Sequence, residues 1–188
     1  SDIDPALIAE QLTLPSFDEI ADNINEVDPD AVLFALGKLK RFIANGLNDT
    51  LLQVYGLMNR SMVNEKQMIA ARSLKNVCLS YLSLLPQYTY LVKEQYTSSN
   101  NMTDALAALT ASAKNNLPDL SEQLSHFENK WYDTTLVMDK WFSLNAQVDK
   151  PDTFKLLADL QKHPLFTMEN PNRVRSLIGA FIMHNPQH

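Results

Sequence analysis

The stretch DPDAVLFALGKLKRFIANGLNDTLLQVYGLM, residues 28–58, sets the fold class. Val32, Leu36, Leu39, Ile43, Leu47, Leu51, Val54 and Met58 recur in steps of four and three, the spacing of one helix face. Asp28 offers a side-chain acceptor where a helix begins. Pro29 then takes the first helical position, where a missing N–H does no harm. The stripe predicts a helix over 29–58, about 45 Å long at a rise of 1.5 Å per residue. Gly37 and Gly46 lie inside it. Each costs about 1 kcal/mol against Ala in a helix interior, so a break is allowed near Gly46.

The same grammar runs outward in both directions. Asp4-Pro5 and Asn170-Pro171 repeat the cap, and Ser16 with Glu19 forms a capping box. Met68, Ala71, Leu74, Cys78, Leu82 and Leu85 mark another helical stripe. Others are Met102, Leu106, Leu109 and Ala113, then Leu120, Leu124, Phe127 and Trp131, then Val137, Trp141, Leu144 and Val148. The last holds Val174, Leu177, Ile178 and Phe181. Glycine is scarce, with four in the chain, and no stretch reads as a strand. Pro86, Pro118 and Pro151 follow one another at intervals of 32 and 33 residues, and each interval holds two helical stripes. That spacing predicts stacked helical hairpins, a short solenoid without the tetratricopeptide signature.

The chain has 188 residues, enough for one domain with its own core. Sixteen basic and 22 acidic side chains give a net charge of −6, which disfavours a nucleic-acid-binding face. Residues 1–30 carry nine acidic side chains and no Lys or Arg. That run reads either as solvated helix ends or as an electrostatic docking face. Cys78 is the single cysteine, so no internal disulfide and no cysteine-rich zinc site is expected. No apolar run approaches the ~20 residues of a membrane span, and no signal peptide opens the chain. A soluble protein of a reducing compartment, the cytoplasm, is expected.

A search for catalytic groups returns little. There is no phosphate-binding glycine loop, no nucleophile elbow and no His-Glu-x-x-His pair. His184 and His188 are four apart, but Pro186 separates them and a terminal coil is expected. His126 reads as a surface helix residue, and His163, before Pro164, as a cation complementing a helix end. Cys78 sits on an apolar stripe and reads as a buried, inert thiol. Trp131 and Trp141 read as core. Asp133 and Asp139 flank one helix, yet two carboxylates alone do not make a hydrolase. The segment Asn170-Pro171-Asn172-Arg173-Val174-Arg175-Ser176 is the most suggestive. Its two arginines stand in a first helical turn, where the dipole already favours anions. They read either as contacts to a carboxylate or peptide carbonyl, or as surface and bridging arginines.

Several long strings carry a family likeness. They are Ile3-Asp4-Pro5-Ala6-Leu7 with Leu12-Thr13-Leu14-Pro15-Ser16, Asn100-Asn101-Met102-Thr103-Asp104-Ala105-Leu106-Ala107-Ala108-Leu109, and Leu136-Val137-Met138-Asp139-Lys140-Trp141-Phe142. The last runs from Phe166-Thr167-Met168 through Asn170-Pro171-Asn172-Arg173 to Arg175-Ser176-Leu177-Ile178-Gly179-Ala180-Phe181. In these strings the chain resembles the C-terminal helical domain of the bacterial aminopeptidase N family. The resemblance implies an all-α domain over 1–188, with stacked antiparallel helix pairs forming a curved α-solenoid of the HEAT or armadillo kind. It implies a larger zinc aminopeptidase that removes N-terminal residues from peptides, the zinc lying in a catalytic domain absent from this chain. This part would be inactive alone, would cover the active-site chamber and would restrict substrate access. The resemblance also implies that the family's domain continues for several helices past Phe181. An apolar patch near Val174, Leu177 and Phe181 is then expected to be exposed. Finally, it implies that Arg175, with Arg173 and Asn172 beside it, faces substrate or a neighbouring domain. No residue of the chain is expected to be catalytic or to bind metal. Expected partners are the catalytic domain of the same polypeptide and peptide substrates, with neither nucleic acid nor membrane.

A second reading is an independent helical-repeat module that binds a peptide or protein partner. The family strings favour the first.

Overall fold

The computed structural model describes residues 3–59, 64–148 and 152–185, and these are helical, with no strand among them. The order is α1 (Pro5–Leu12), α2 (Phe17–Ala21), α3 (Pro29–Gly46), α4 (Asn48–Met58), α5 (Glu65–Leu82), a 3₁₀ turn (Pro86–Tyr88), α6 (Tyr90–Ser98) and α7 (Met102–Lys114). Then come α8 (Leu120–Trp131), α9 (Thr135–Ala146), α10 (Thr153–Leu160), α11 (Pro171–Val174), a π turn (Arg175–Gly179) and α12 (Ala180–His184). The side chain of His184 and the whole of Pro186 and His188 lie outside the described residues.

The caps fall where the sequence puts them. Asp4 accepts from the Ala6 N–H, Asp28 from the Ala31 N–H, and Ser16 and Glu19 close the capping box. The helix expected over 29–58 is divided after Gly46. Leu47 leaves helical geometry, with φ −116° and ψ 14°, while its N–H still donates to Ile43 O at 2.9 Å. The chain therefore bends there without losing that bond.

The chain forms two compact units, residues 1–111 and 112–188. In the first, α5 is the organising helix and packs against α1, α3 and α4. Its buried face holds Ala70, Ala71, Leu74, Cys78, Leu79 and Leu82. Tyr81 lies on the same helix and donates its hydroxyl proton to Leu12 O, which ties down the end of α1.

Cys78 has no exposed surface, and burial pushes its thiol up to about 11. Thiol reagents at pH 8 are expected to leave it unmodified in the folded chain and to label it on denaturation, as mass spectrometry would show. The neutral thiol is the form the fold prefers. Its contribution is therefore complete below the ordinary thiol pKa and lost as pH rises toward 11. Tyr55 and Tyr96, pushed up by burial to about 12, act in the same direction.

In the second unit the chain leaves α7 through Asn116, whose φ of 46° is left-handed. Asn tolerates that region, and the turn closes with the Leu117 N–H on Ser112 O at 3.0 Å. Leu120, Leu124 and Phe127 of α8 meet Met138, Trp141 and Phe142 of α9 in the core. The Trp141 indole N–H donates to Leu124 O at 3.0 Å. Trp141 is thus core, as read from its stripe, whereas Trp131 is only half-buried.

The apolar patch expected near Val174, Leu177 and Phe181 is displaced to their neighbours. Leu177 is 0% exposed and Phe181 9%, so neither forms an open patch. The π turn and α12 both pack against α9, and the Phe181 ring lies 5.6 Å from that of Phe154. The exposed apolar side chains at this end of the unit are Phe154, Ile182 and Met183.

Candidate functional site

The segment singled out by sequence builds a layered site in the second unit. Asn170 caps α11 by accepting from the N–H groups of Asn172, at 3.0 Å, and Arg173, at 3.3 Å. Pro171 sets the first turn. The three candidate residues then part company. Asn172 and Arg175 are exposed. Arg173 is 3% exposed, with its Nε 3.0 Å from Asp139 Oδ1 and its guanidinium carbon 4.7 Å from the centre of the Phe142 ring.

A buried cation needs such surroundings, because an unpaired charge in a protein interior is very costly. Asp139 and Phe142 stand three apart on one face of α9, so one guanidinium can meet both. Of the two readings of these arginines, Arg173 takes the bridging one and joins α11 to α9. The pair is close but imperfectly aimed. Neither Arg173 Nε nor Nη1 makes a hydrogen bond among the described residues.

The stack continues beyond Phe142. Its ring meets Trp141 edge-on at 5.0 Å and His163 at 5.3 Å and 89°. His163 places Nε2 at 3.0 Å from Glu128 Oε1, and its Nδ1 accepts from the Leu165 N–H at 3.1 Å. An accepting Nδ1 puts the ring proton on Nε2, facing Glu128. The helix-end role expected of His163 is thus replaced by a side-chain partner 35 residues away. His126 is exposed.

A second polar cluster, which sequence reading missed, lies in the first unit. Asp104 accepts from Lys75 Nζ at 2.6 Å, Asn76 Nδ2 at 3.0 Å and Asn101 Nδ2 at 3.1 Å. Gln95 donates to Asn76 Oδ1 and to Asp104 O, and receives the Tyr55 hydroxyl at 3.1 Å. Burial pushes the Asp104 carboxyl up. The hydrogen bonds from Lys75, Asn101 and Asn76 and the Lys75 charge outweigh it and hold the carboxyl below its ordinary range. The cluster borders a polar cavity of about 250 Å³, rimmed by Arg72 and Glu94. One signal was available in the sequence: Lys75 stands four residues from Ala71 and three from Cys78, on the apolar stripe of its own helix.

Zinc, implied by the family likeness, does not fit this chain. Both ring nitrogens of His163 are engaged, and Cys78 is sealed in the core. Among the described residues no three His, Cys, Asp or Glu side chains group to hold a metal ion. No helix among them is long and apolar enough to cross a membrane.

Helices throughout the described residues, tied by buried polar groups, define an all-α helical-repeat domain. The chain belongs to the DUF3458_C family, a domain of unknown function described as ARM repeats, whose model matches residues 1–188. It is 43% identical over 187 residues to aminopeptidase N of Escherichia coli, covering 98% of this chain and 22% of that protein. It is 40% identical to aminopeptidase N of Haemophilus influenzae, over 93% of this chain and 20% of the relative. A crystal structure of Legionella pneumophila aminopeptidase A in complex with aspartic acid superposes with a TM-score of 0.88 at 25% identity, covering 97% of this chain and 23% of that one. The chain thus spans about a fifth of the length of the curated relatives it matches.

Proposed function

We propose that this chain is a non-catalytic helical part of a zinc-dependent aminopeptidase that removes N-terminal residues from peptides, and that it covers the active-site chamber and restricts access. One observation carries the reading: nearly all of this chain aligns with only 22% of a protein named for that activity. The metal and the hydrolytic groups then belong to the remaining polypeptide. A cytoplasmic location goes with the same reading and is supported by the single, unpaired cysteine. The test is direct. The purified 188-residue chain should neither hydrolyse an aminoacyl chromogenic amide nor hold stoichiometric zinc, whereas the full-length polypeptide should do both. Chain-dependent hydrolysis by the 188 residues alone would overturn the proposal.

Within that reading, Arg175 is the residue that reaches substrate or a neighbouring domain, with Asn172 beside it. Its exposure supports this role. Arg173 acts from beneath as a positioning residue, since it holds α11 on α9. Arg175→Ala in the full-length enzyme is expected to reduce kcat/KM roughly tenfold, the equivalent of one charge-assisted hydrogen bond. Helix content should not change, and Arg175→Lys should recover part of the loss. Unchanged kinetics together with unchanged thermal stability would remove Arg175 from the site.

A further inference from the structure

The polar cavity of the first unit has no part in the function proposed above, yet its lining carries charges that the fold does not use up. α4 supplies Tyr55 and Asn59, α5 supplies Arg72 and Lys75, and α6 supplies Glu94, while Asp104 stands in the first turn of α7. Arg72 and Lys75 are three residues apart, so one face of α5 carries both cations. The volume of about 250 Å³ lies below the roughly 300–1,000 Å³ of pockets for drug-sized molecules, so the occupant is small.

Asp104 is saturated, because its two carboxyl oxygens accept from Lys75, Asn76 and Asn101. Lys75 is not. It is 6% exposed and has three N–H groups but two acceptors, Asp104 at 2.6 Å and Asn59 Oδ1 at 3.4 Å. One N–H is left over inside the cavity. Arg72 comes no nearer to Asp104 than 3.9 Å and makes no hydrogen bond among the described residues. The Glu94 carboxylate, exposed at the rim, makes none among them either. Its charge still reaches the interior: burial first, and then Glu94, push the Tyr55 hydroxyl up to about 12.

Two cations and two carboxylates leave the lining with no net charge. A simple anion would gain Arg72 and face two carboxylates. A simple cation would gain Glu94 and face two cations. A small molecule that carries both charges meets the unused donors and the unused acceptor together. We infer that this cavity binds a free α-amino acid as its zwitterion, with the carboxylate on Arg72 and the spare Lys75 N–H and the ammonium on Glu94. Free amino acids are what an aminopeptidase releases, so the choice of ligand rests on the function proposed above.

Equilibrium dialysis of labelled L-alanine against the full-length polypeptide reads the stoichiometry. Wild type should bind one equivalent more than the Arg72→Gln/Glu94→Gln variant, and equal stoichiometry would overturn the inference. Amide NMR of the 188-residue chain is the second measurement. L-Alanine should move the Asn101 and Asp104 signals saturably, with a Kd on the order of 1 mM, which two charge-assisted contacts supply. Arg72→Gln and Glu94→Gln should each weaken binding about tenfold and keep the melting temperature within about 2 °C, because neither side chain is hydrogen-bonded within the described fold. N-acetyl-L-alanine, which lacks the ammonium, and L-alaninamide, which lacks the carboxylate, should each bind about tenfold more weakly than L-alanine. If the acetylated form bound as well as L-alanine, this would be an anion site and the zwitterion would be abandoned. Amide signals that L-alanine leaves in place would mean a cavity that holds only water, and would sink the inference too. Failure of the functional reading is separable: L-alanine would still bind, and the wild-type full-length protein would show no aminopeptidase activity.

Discussion

Asp104→Ala is expected to destabilise the first unit by about 3–5 kcal/mol, the usual consequence of leaving a buried ion without its partner. Lys75 and Asp104 are each 6% exposed and 2.6 Å apart. Removing the carboxylate strands the ammonium and leaves the Asn76 and Asn101 amides without their acceptor. Lys75→Met should cost a similar amount. The double change Lys75→Met with Asp104→Leu should cost much less than the sum, because no buried charge remains. Cys78 belongs to the same unit, so its labelling against denaturant reads the effect locally. A midpoint for Asp104→Ala equal to wild type would show that the pair is not sealed from water.

Acid gives an independent check. The Asp104 carboxyl is held below its ordinary range, so its contribution is present above the unfolded carboxyl pKa of about 3.9 and lost as pH falls below it. Asp104→Asn should flatten that part of the acid-stability curve.

Phe142→Ala carries the second large effect, about 3–5 kcal/mol in the other unit. The ring has no exposed surface and is enclosed by Trp141, His163 and Phe166. It also supplies the aromatic face beneath the Arg173 guanidinium. Truncation opens a cavity and deprives a buried cation of a favourable surface at once. Phe142→Leu keeps most of the volume and loses the ring, so the difference between the two variants isolates the aromatic contribution. Both tryptophans lie in this unit, and their fluorescence during denaturation is the measurement. A loss below 1 kcal/mol for the alanine variant would contradict the packing described.

The helices were legible because their signals are local. Asp28 caps α3, and Ser16 and Glu19 cap α2, through atoms three residues away. The division after Gly46 could be anticipated, since a glycine inside a periodic stripe weakens the helix where it stands. Cys78 could be assigned to the core from its own stripe. Arg173 and Arg175 could not be told apart. Both stand in one first turn, and only the position of Asp139, 34 residues earlier in the chain, decides which is swallowed. Phe181 looked exposed because its covering was expected from beyond the chain, whereas α9 and α10 already supply neighbours for α12 and the π turn.

The sequence by itself determined the all-helical class and the caps, which follow from spacing and backbone hydrogen bonding within a few residues, and its longer strings carried the family resemblance. Only the tertiary structure decided which polar groups are buried and with whom: Lys75 with Asp104, Arg173 with Asp139, His163 with Glu128. The reason is physical. Burying a charge is costly until its partner is in place, and that partner comes from another helix, brought near only by packing.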